Sequence, residues 1–319
     1  MANCDNLFRD FNGNLVITKT KKDSLIISKD NLRTKIKKYF DEKHPKYKPT
    51  FYIQGSYKMN TQIRTKDDTC DLDDGVYFKE NPDNVTCTTL QRWVKEAVDG
   101  VTDTTPSHRM KCVTVDYKAG YNIDLPVLLF DKETDTHPKL AVKDGDWQED
   151  DPKEFYNHFN EQKDSNGQLV RMVKYLKSWC DYKRHKMPSG LAMSVLAMNS
   201  FQSNSRDDVA FKFLLIEIEK KLKANFECKI PTTPKDDLFA DYDQTRKDNF
   251  MNNIAAFITD ARKAVDEEKN QFKASKLWQK HFGDTYFPDG KDEDEKGINT
   301  NSLSVVIGGA RPYYDNAKL

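Results

Sequence analysis

The sequence predicts an α+β protein, a strand-rich first half joined to a helical second half. Three observations carry this. Residues 28–43 repeat Leu32, Ile36, Tyr39 and Phe40 at helical spacing among Arg33, Lys35, Lys37, Lys38 and Lys43. From about 50 to 130, short β-branched and aromatic runs are separated by turn residues. After about residue 153, apolar residues recur at helical period in one segment after another. The expected organisation is a mixed α/β half over 1–150, including the N-terminal helix, then a helical domain over 151–319.

Taken in order, the first helix is closed by Pro45 and Pro49. A strand over 50–54 runs straight into Gly55-Ser56, and 71–78 is a second strand. Residues 88–98 read as a helix with Leu90, Val94, Ala97 and Val98 on one side. Residues 110–117 and 121–130 form a hairpin around Lys118-Ala119-Gly120. By composition, 131–139 and 143–151 are linkers. In the second half, 168–182 is helical, Pro188-Ser189-Gly190 opens a helix through 201, and 209–226 and 250–265 are further helices. Residues 230–243 make a Pro/Asp-rich loop, and the acidic stretch 284–297 is expected to be mobile.

Composition narrows the function classes. The chain has 319 residues, of which 51 are basic and 51 acidic, so a globally basic nucleic-acid binder is not indicated. Its 18 Phe, 14 Tyr and 4 Trp are enough to build a core despite 32% charged residues. Cys4, Cys70, Cys87, Cys112, Cys180 and Cys228 are scattered without zinc-type spacing, which reads as reduced thiols in a cytoplasmic protein. No signal peptide or membrane-length apolar run is visible. The sequon at Asn84-Val85-Thr86 and the peroxisome-like Ala317-Lys318-Leu319 are short matches that carry no weight.

The chemistry concentrates in acidic residues. In Asp71-Leu72-Asp73-Asp74-Gly75, strand alternation points Asp71 and Asp73 to one face and Asp74 to the other. Two like charges on one face of a buried strand need a counter-charge, and hard oxygen donors select Mg²⁺ or Mn²⁺. Asp124 sits inside the otherwise apolar run Ile123-Asp124-Leu125-Pro126, where an unpaired carboxylate is costly. Three carboxylates on adjacent strands can hold two ions, one gripping a triphosphate and one acidifying an attacking hydroxyl. Gly55 lets backbone approach a phosphate, and the Ser56 hydroxyl can donate to it. Asp116, near the hairpin turn, is a fallback for the Asp124 face.

At these residues the chain resembles the polymerase β nucleotidyltransferase superfamily, and within it the bacterial CD-NTases of CBASS antiphage defence, the cGAS/DncV-like enzymes. The matching segments are Gln54-Gly55-Ser56-Tyr57, Asn60-Thr61, Asp71-Leu72-Asp73-Asp74-Gly75 and Ile123-Asp124-Leu125-Pro126. In the second half, Val173-Lys174-Tyr175-Leu176 resembles the family helix whose lysine reaches the triphosphate. Ser189 resembles its phosphate-contacting serine at the start of the next helix. The likeness runs from about residue 28 to Tyr314.

The resemblance implies a polymerase β-like core with a mixed sheet, an N-terminal spine helix and a C-terminal helical bundle closing the cleft. It also implies nucleotide binding by Gln54, Gly55, Ser56, Lys174 and Ser189, and two Mg²⁺ or Mn²⁺ ions held by Asp71, Asp73 and Asp124. The implied product is a cyclic oligonucleotide messenger, a purine-containing cyclic dinucleotide such as cyclic GMP-AMP, made from NTPs (ATP and GTP) in defence against phage, with possible CBASS companion proteins. The zinc-binding insertion of the animal relative is absent, so DNA sensing in that manner is not supported. The alternatives are an RNA-tailing or small-molecule nucleotidylating transferase, or a non-catalytic nucleotide-binding protein on the same fold.

Overall fold

The computed structural model describes residues 1–294. The tripeptide 317–319, the reach of the resemblance to Tyr314 and the last part of the acidic stretch lie outside the described residues. Two helices come first, α1 (Asp5–Asn14) and α2 (Lys19–Lys43). The second starts earlier than the apolar spacing suggests because Thr18 caps it, its hydroxyl accepting from the Lys21 N–H. Leu25, Leu32, Ile36 and Phe40 form its buried stripe.

Next come β1 (Thr50–Gln54), the short α3 (Gly55–Met59), β2 (Cys70–Phe78) and α4 (Cys87–Val98). They are followed by β3 (Ser107–His108), β4 (Val113–Tyr117), β5 (Tyr121–Leu125), β6 (Val127–Leu129), β7 (Lys139–Ala141) and β8 (Trp147–Glu149). These strands form one mixed sheet. β1 pairs antiparallel with β2, while β5 and β6 run parallel beside its first and last parts. The strand expected over 121–130 is broken at Pro126, which has no N–H for a ladder. The Pro126 carbonyl accepts from the Val76 N–H at 2.8 Å, which keeps both pieces against β2. The hairpin around Lys118-Ala119-Gly120 forms as expected. The second expected linker holds β8, too short for periodicity to reveal.

The helical half comprises α5 (Pro152–Glu161), α6 (Gln168–Lys183), α7 (Gly190–Ser200), α8 (Asp207–Ala224), α9 (Gln244–Arg262) with a π-helical turn at Lys263–Glu267, and α10 (Gln271–Phe282). α1, α5 and α10 carry no signal strong enough to be expected from sequence. The α+β class is as expected, and the last named strand ends at Glu149, just before α5.

Apolar side chains gather into two cores. One lies between the sheet and α2 and α4, built from residues such as Leu32, Phe40, Leu72, Val76, Val94 and Ile123. The other is the interior of the helical half, and α1 belongs to it. Phe8 and Phe11 of α1 pack on Phe287, and Phe8 also meets Trp278 edge-on. A buried polar knot ties α1, α6 and α8 together. Asp207, with no exposed surface, accepts from Gln168 Nε2 (2.8 Å), Arg171 Nε (2.6 Å) and the Tyr175 hydroxyl (2.9 Å). Burial pushes Asp207 up, but the hydrogen bonds from Arg171 and Gln168 outweigh it and hold the carboxyl below its ordinary value. The acidic stretch is docked rather than mobile in its described part. Phe287 is fully buried and stacks on Phe282 at 5.5 Å, and the Gly290 N–H donates to Ser275.

One buried ion pair joins the sheet to α2. Asp74, with no exposed surface, turns away from Asp73 toward α2 as strand alternation requires. There Arg33 donates to it from Nε (2.7 Å) and Nη2 (2.5 Å) while lying over the Phe51 ring. Such a two-pronged pair is expensive to break from one side only. Arg33→Met should therefore destabilise the chain by about 3 kcal/mol in urea unfolding, and adding Asp74→Leu should recover most of the loss. If the single variant unfolds at the wild-type midpoint, the pair contributes nothing.

Candidate active site

The unpaired face of β2 opens into a cleft of about 890 Å³ between the sheet and α5, α6 and α7. This is the upper part of the range for small-molecule sites. Asp71 and Asp73 lie on its floor, and the parallel register sets Asp124 of β5 directly beside Asp73. Leu72 and Asp74 take the other face, so the three carboxylates share one side of the sheet with nothing charged between them.

The turn from β1 into α3 is fitted to this floor. Gly55 has φ +63°, and a Cβ there would lie 1.9 Å from Asp73 Oδ2. Only glycine allows both the left-handed backbone and the carboxylate at this spot. Gly75 is also confined, since a Cβ would stand 2.7 Å from Gln54 Oε1, which accepts from the Tyr77 hydroxyl. α3 ends at Asn60, whose left-handed conformation turns the chain so that Thr61 is fully buried beneath the cleft.

Opposite the carboxylates stands Lys177 of α6. Its Nζ donates to the Thr61 hydroxyl (3.2 Å) and carbonyl (3.3 Å), and Gly190 leaves room for its stem. Burial pulls the Lys177 ammonium down to about 8, against the attraction of Asp71 and Asp73. Asp71 opens to solvent within the cleft, yet protein surrounds it on most sides. Burial raises its carboxyl above the ordinary range, Lys177 opposing and Asp124 adding to the rise. Asp73 is raised in the same way, by burial first and then by Asp71 and Asp124. One lysine does not neutralise three carboxylates, so the site is short of positive charge.

The structure brings together Gln54, Gly55, Ser56, Asp71 and Asp73 as cleft lining, with Asp124 alongside. It does not bring in Lys174 or Ser189. Lys174 is buried away from the lining, where burial and then Arg171 lower its ammonium. The Ser189 hydroxyl caps α7, accepting from the Ala192 N–H at 3.2 Å, while its neighbours Pro188 and Gly190 line the cleft. Lys177, three residues beyond Lys174, is the lysine that sequence reasoning passed over. The signal for it is weak, because α6 is buried on nearly every side and its period does not single out one lysine. Asp116, the fallback, is exposed and pairs in register with Asn122 rather than Asp124.

Among the described residues, the trio of metal-type ligands whose atoms fall within 4.8 Å of one another is His137, Asp151 and Glu154. It lies outside the carboxylate floor and has capping work of its own. Asp151 accepts from the Lys153 and Glu154 N–H groups, and Glu154 accepts from the Thr233 N–H.

Residues 49–128, which hold the turn, β2 and β5, match the family described as Cyclic GMP-AMP synthase DncV-like, nucleotidyltransferase domain. That stretch of the chain is thus similar to a DncV-like nucleotidyltransferase domain. A cyclic GMP-AMP synthase from Escherichia albertii is 26% identical over 257 residues, 72% of this chain and 56% of that protein. The chain thus spans about half the length of this curated relative. The fold is that of Vibrio cholerae DncV cyclic AMP-GMP synthase, with TM-score 0.78 at 16% identity over 91% of this chain and 98% of the other. Escherichia coli DncV in a 3'-deoxy GTP bound form matches with TM-score 0.74 at 17% identity, over 86% and 94% of the two chains. The expected resemblance to bacterial CD-NTases is borne out, and so is the polymerase β-like fold. Among the described residues no helix is long and apolar enough to cross a membrane.

The fit between turn and floor has a measurable consequence. Gly55→Ala should lower stability by about 1–3 kcal/mol in denaturant unfolding, from backbone strain added to the clash with Asp73. A wild-type midpoint would mean that Asp73 yields freely.

Proposed function

We propose that this chain is a divalent-metal-dependent nucleotidyltransferase that joins NTPs into a small cyclic oligonucleotide, a purine-containing cyclic dinucleotide such as cyclic GMP-AMP. The observation that carries the reading is the grouping of Asp71, Asp73 and Asp124 on one face beside the Gly55-Ser56 turn, with Lys177 across the cleft. The relatives support it in kind. The Escherichia albertii protein is a cyclic GMP-AMP synthase, and Vibrio cholerae DncV was solved with the linear intermediate 5' pppA(3',5')pG. On that likeness we assign the chain to antiphage signalling. We place it in the cytoplasm, consistent with six cysteines that form no disulfide.

The donor set suits Mg²⁺ or Mn²⁺, since all three side chains offer hard oxygens and the raised carboxyls of Asp71 and Asp73 mark an uncompensated negative site. Asp71, Asp73 and Asp124 would hold the metal, two ions in our reading. When bound, these ions supply the positive charge that grips a triphosphate and eases loss of a proton from the attacking hydroxyl. The chain's own residues do the positioning. Ser56 offers its hydroxyl to a phosphate oxygen, Lys177 adds a point charge from the helical wall, and Gly55 lets the backbone of the turn approach the phosphate closely. The acceptor ribose hydroxyl gives its proton toward Asp124. Its oxygen then bonds to the α-phosphorus, and the bond from that phosphorus to the departing pyrophosphate breaks. A second turn of the same site closes the ring.

The product decides the matter. Purified chain with all four NTPs and Mg²⁺ or Mn²⁺ should give a phosphatase-resistant product whose mass is that of a cyclic dinucleotide. Phosphatase-sensitive products alone, or ladders primed on added RNA, would overturn the reading in favour of a tailing enzyme. Asp71→Asn combined with Asp73→Asn should abolish turnover in a folded protein. Lys177→Ala should raise the KM for NTP about tenfold or more, the loss of one phosphate contact of roughly 1.4 kcal/mol. Lys174→Ala should leave KM nearly unchanged, and the opposite ranking would restore the family-based assignment to Lys174.

A further inference from the structure

Asp124 is held by a side chain to which the proposed function gives no role. Thr114 of β4 stands opposite it in the antiparallel register, and Thr114 Oγ1 lies 2.5 Å from Asp124 Oδ1. Thr114 has no exposed surface, although the register sets it on the same side of the sheet as Asp124. A hydroxyl carries one proton, and a carboxylate can only accept, so that proton is committed to Asp124. The Cys112 thiol, 3.6 Å from Thr114 Oγ1, can donate to the hydroxyl oxygen from behind and leave its proton pointing forward. Threonine is also stiff about its first side-chain bond, more so than serine.

The need for a clamp follows from the charges. Asp124 shares its face with Asp71 and Asp73, and the three repel one another. An aspartate free to rotate would swing its carboxylate away from that field. With Oδ1 tied down, Oδ2 has no hydrogen-bond partner among the described residues, on the face that Asp124 shares with Asp73. We infer that Thr114 is a positioning residue that fixes the Asp124 carboxylate and thereby sets the affinity of the three-carboxylate floor for a divalent cation. This rests on the proposed role of Asp124 as a metal-holding carboxylate.

The test uses the full chain, with Mn²⁺ as the probe. Thr114→Val keeps the shape and removes the hydroxyl, whereas Thr114→Ser keeps the hydroxyl and removes the methyl. Mn²⁺ binding is followed by electron paramagnetic resonance without nucleotide, and NTP turnover is measured separately. Thermal melting checks that each variant is folded. Thr114→Val should weaken Mn²⁺ binding and lower kcat, each by about 10–100-fold, with KM for NTP unchanged, and Thr114→Ser should stay close to wild type in all three. Wild-type Mn²⁺ affinity in Thr114→Val overturns the inference. So does Thr114→Ser falling as far as Thr114→Val, which would make the role one of packing. If the wild-type chain binds Mn²⁺ but turns over no NTP, the enzymatic reading fails while the comparison of Mn²⁺ affinities still decides the role of Thr114. If it binds no Mn²⁺, both fail.

Discussion

Mutual repulsion among Asp71, Asp73 and Asp124 is the constraint around which the sheet half is arranged. Burial first, and neighbouring negative charge after it, raises the carboxyls of Asp71 and Asp73, and like charges on one face would scatter if left to rotate. Around them the chain places a support of a different kind on each side. A glycine backbone at 55 leaves Asp73 its space, a threonine hydroxyl faces Asp124, and the Lys177 ammonium stands across the cleft. Beneath the floor, the pairing of Arg33 with Asp74 anchors β2 to α2, so that the strand bearing two of the charges is held from its far side. Each support is short-range and lies on an element that the apolar core already fixes, which is how a cluster that disfavours itself can persist.

Much of this was legible in the sequence because strand periodicity is strict. Alternation along 71–76 sorted Asp71 and Asp73 from Asp74 without reference to any fold, and the turn residues at 118–120 located the hairpin that carries Asp124. What sequence did not yield has several separate physical causes. Residues of α6 are buried on nearly every side, so its apolar pattern does not reveal which of two lysines faces the cleft. A serine before a helix serves equally as a cap and as a phosphate ligand, and Ser189 caps. β7 and β8 are three residues each, shorter than a period-two pattern needs. The acidic composition after 284 concealed Phe287, a single ring whose burial outweighs the charges around it.

The comparison with Vibrio cholerae DncV makes a related point. At 16% identity the two chains share a fold with TM-score 0.78. Cores accept wide substitution if volume and patterning are kept. The segments that carried the resemblance, the Gly-Ser turn and the Asp-bearing strands, are those where a residue type is demanded by contact: no side chain other than that of glycine fits against Asp73.

The assignment of α1 to the second core bears on how the chain is made. Phe8 and Phe11 find their aromatic partners at Trp278, Phe282 and Phe287, near the other end of the described chain. The sheet core needs nothing beyond residue 147 to assemble. On a ribosome adding about 5–20 residues per second, the sheet would be complete for roughly 7–28 s before the last of those partners is made. During that interval Phe8 and Phe11 have at most Tyr175 and Phe211 as ring partners, so the apolar face of α1 is only half covered until the last helix is in place.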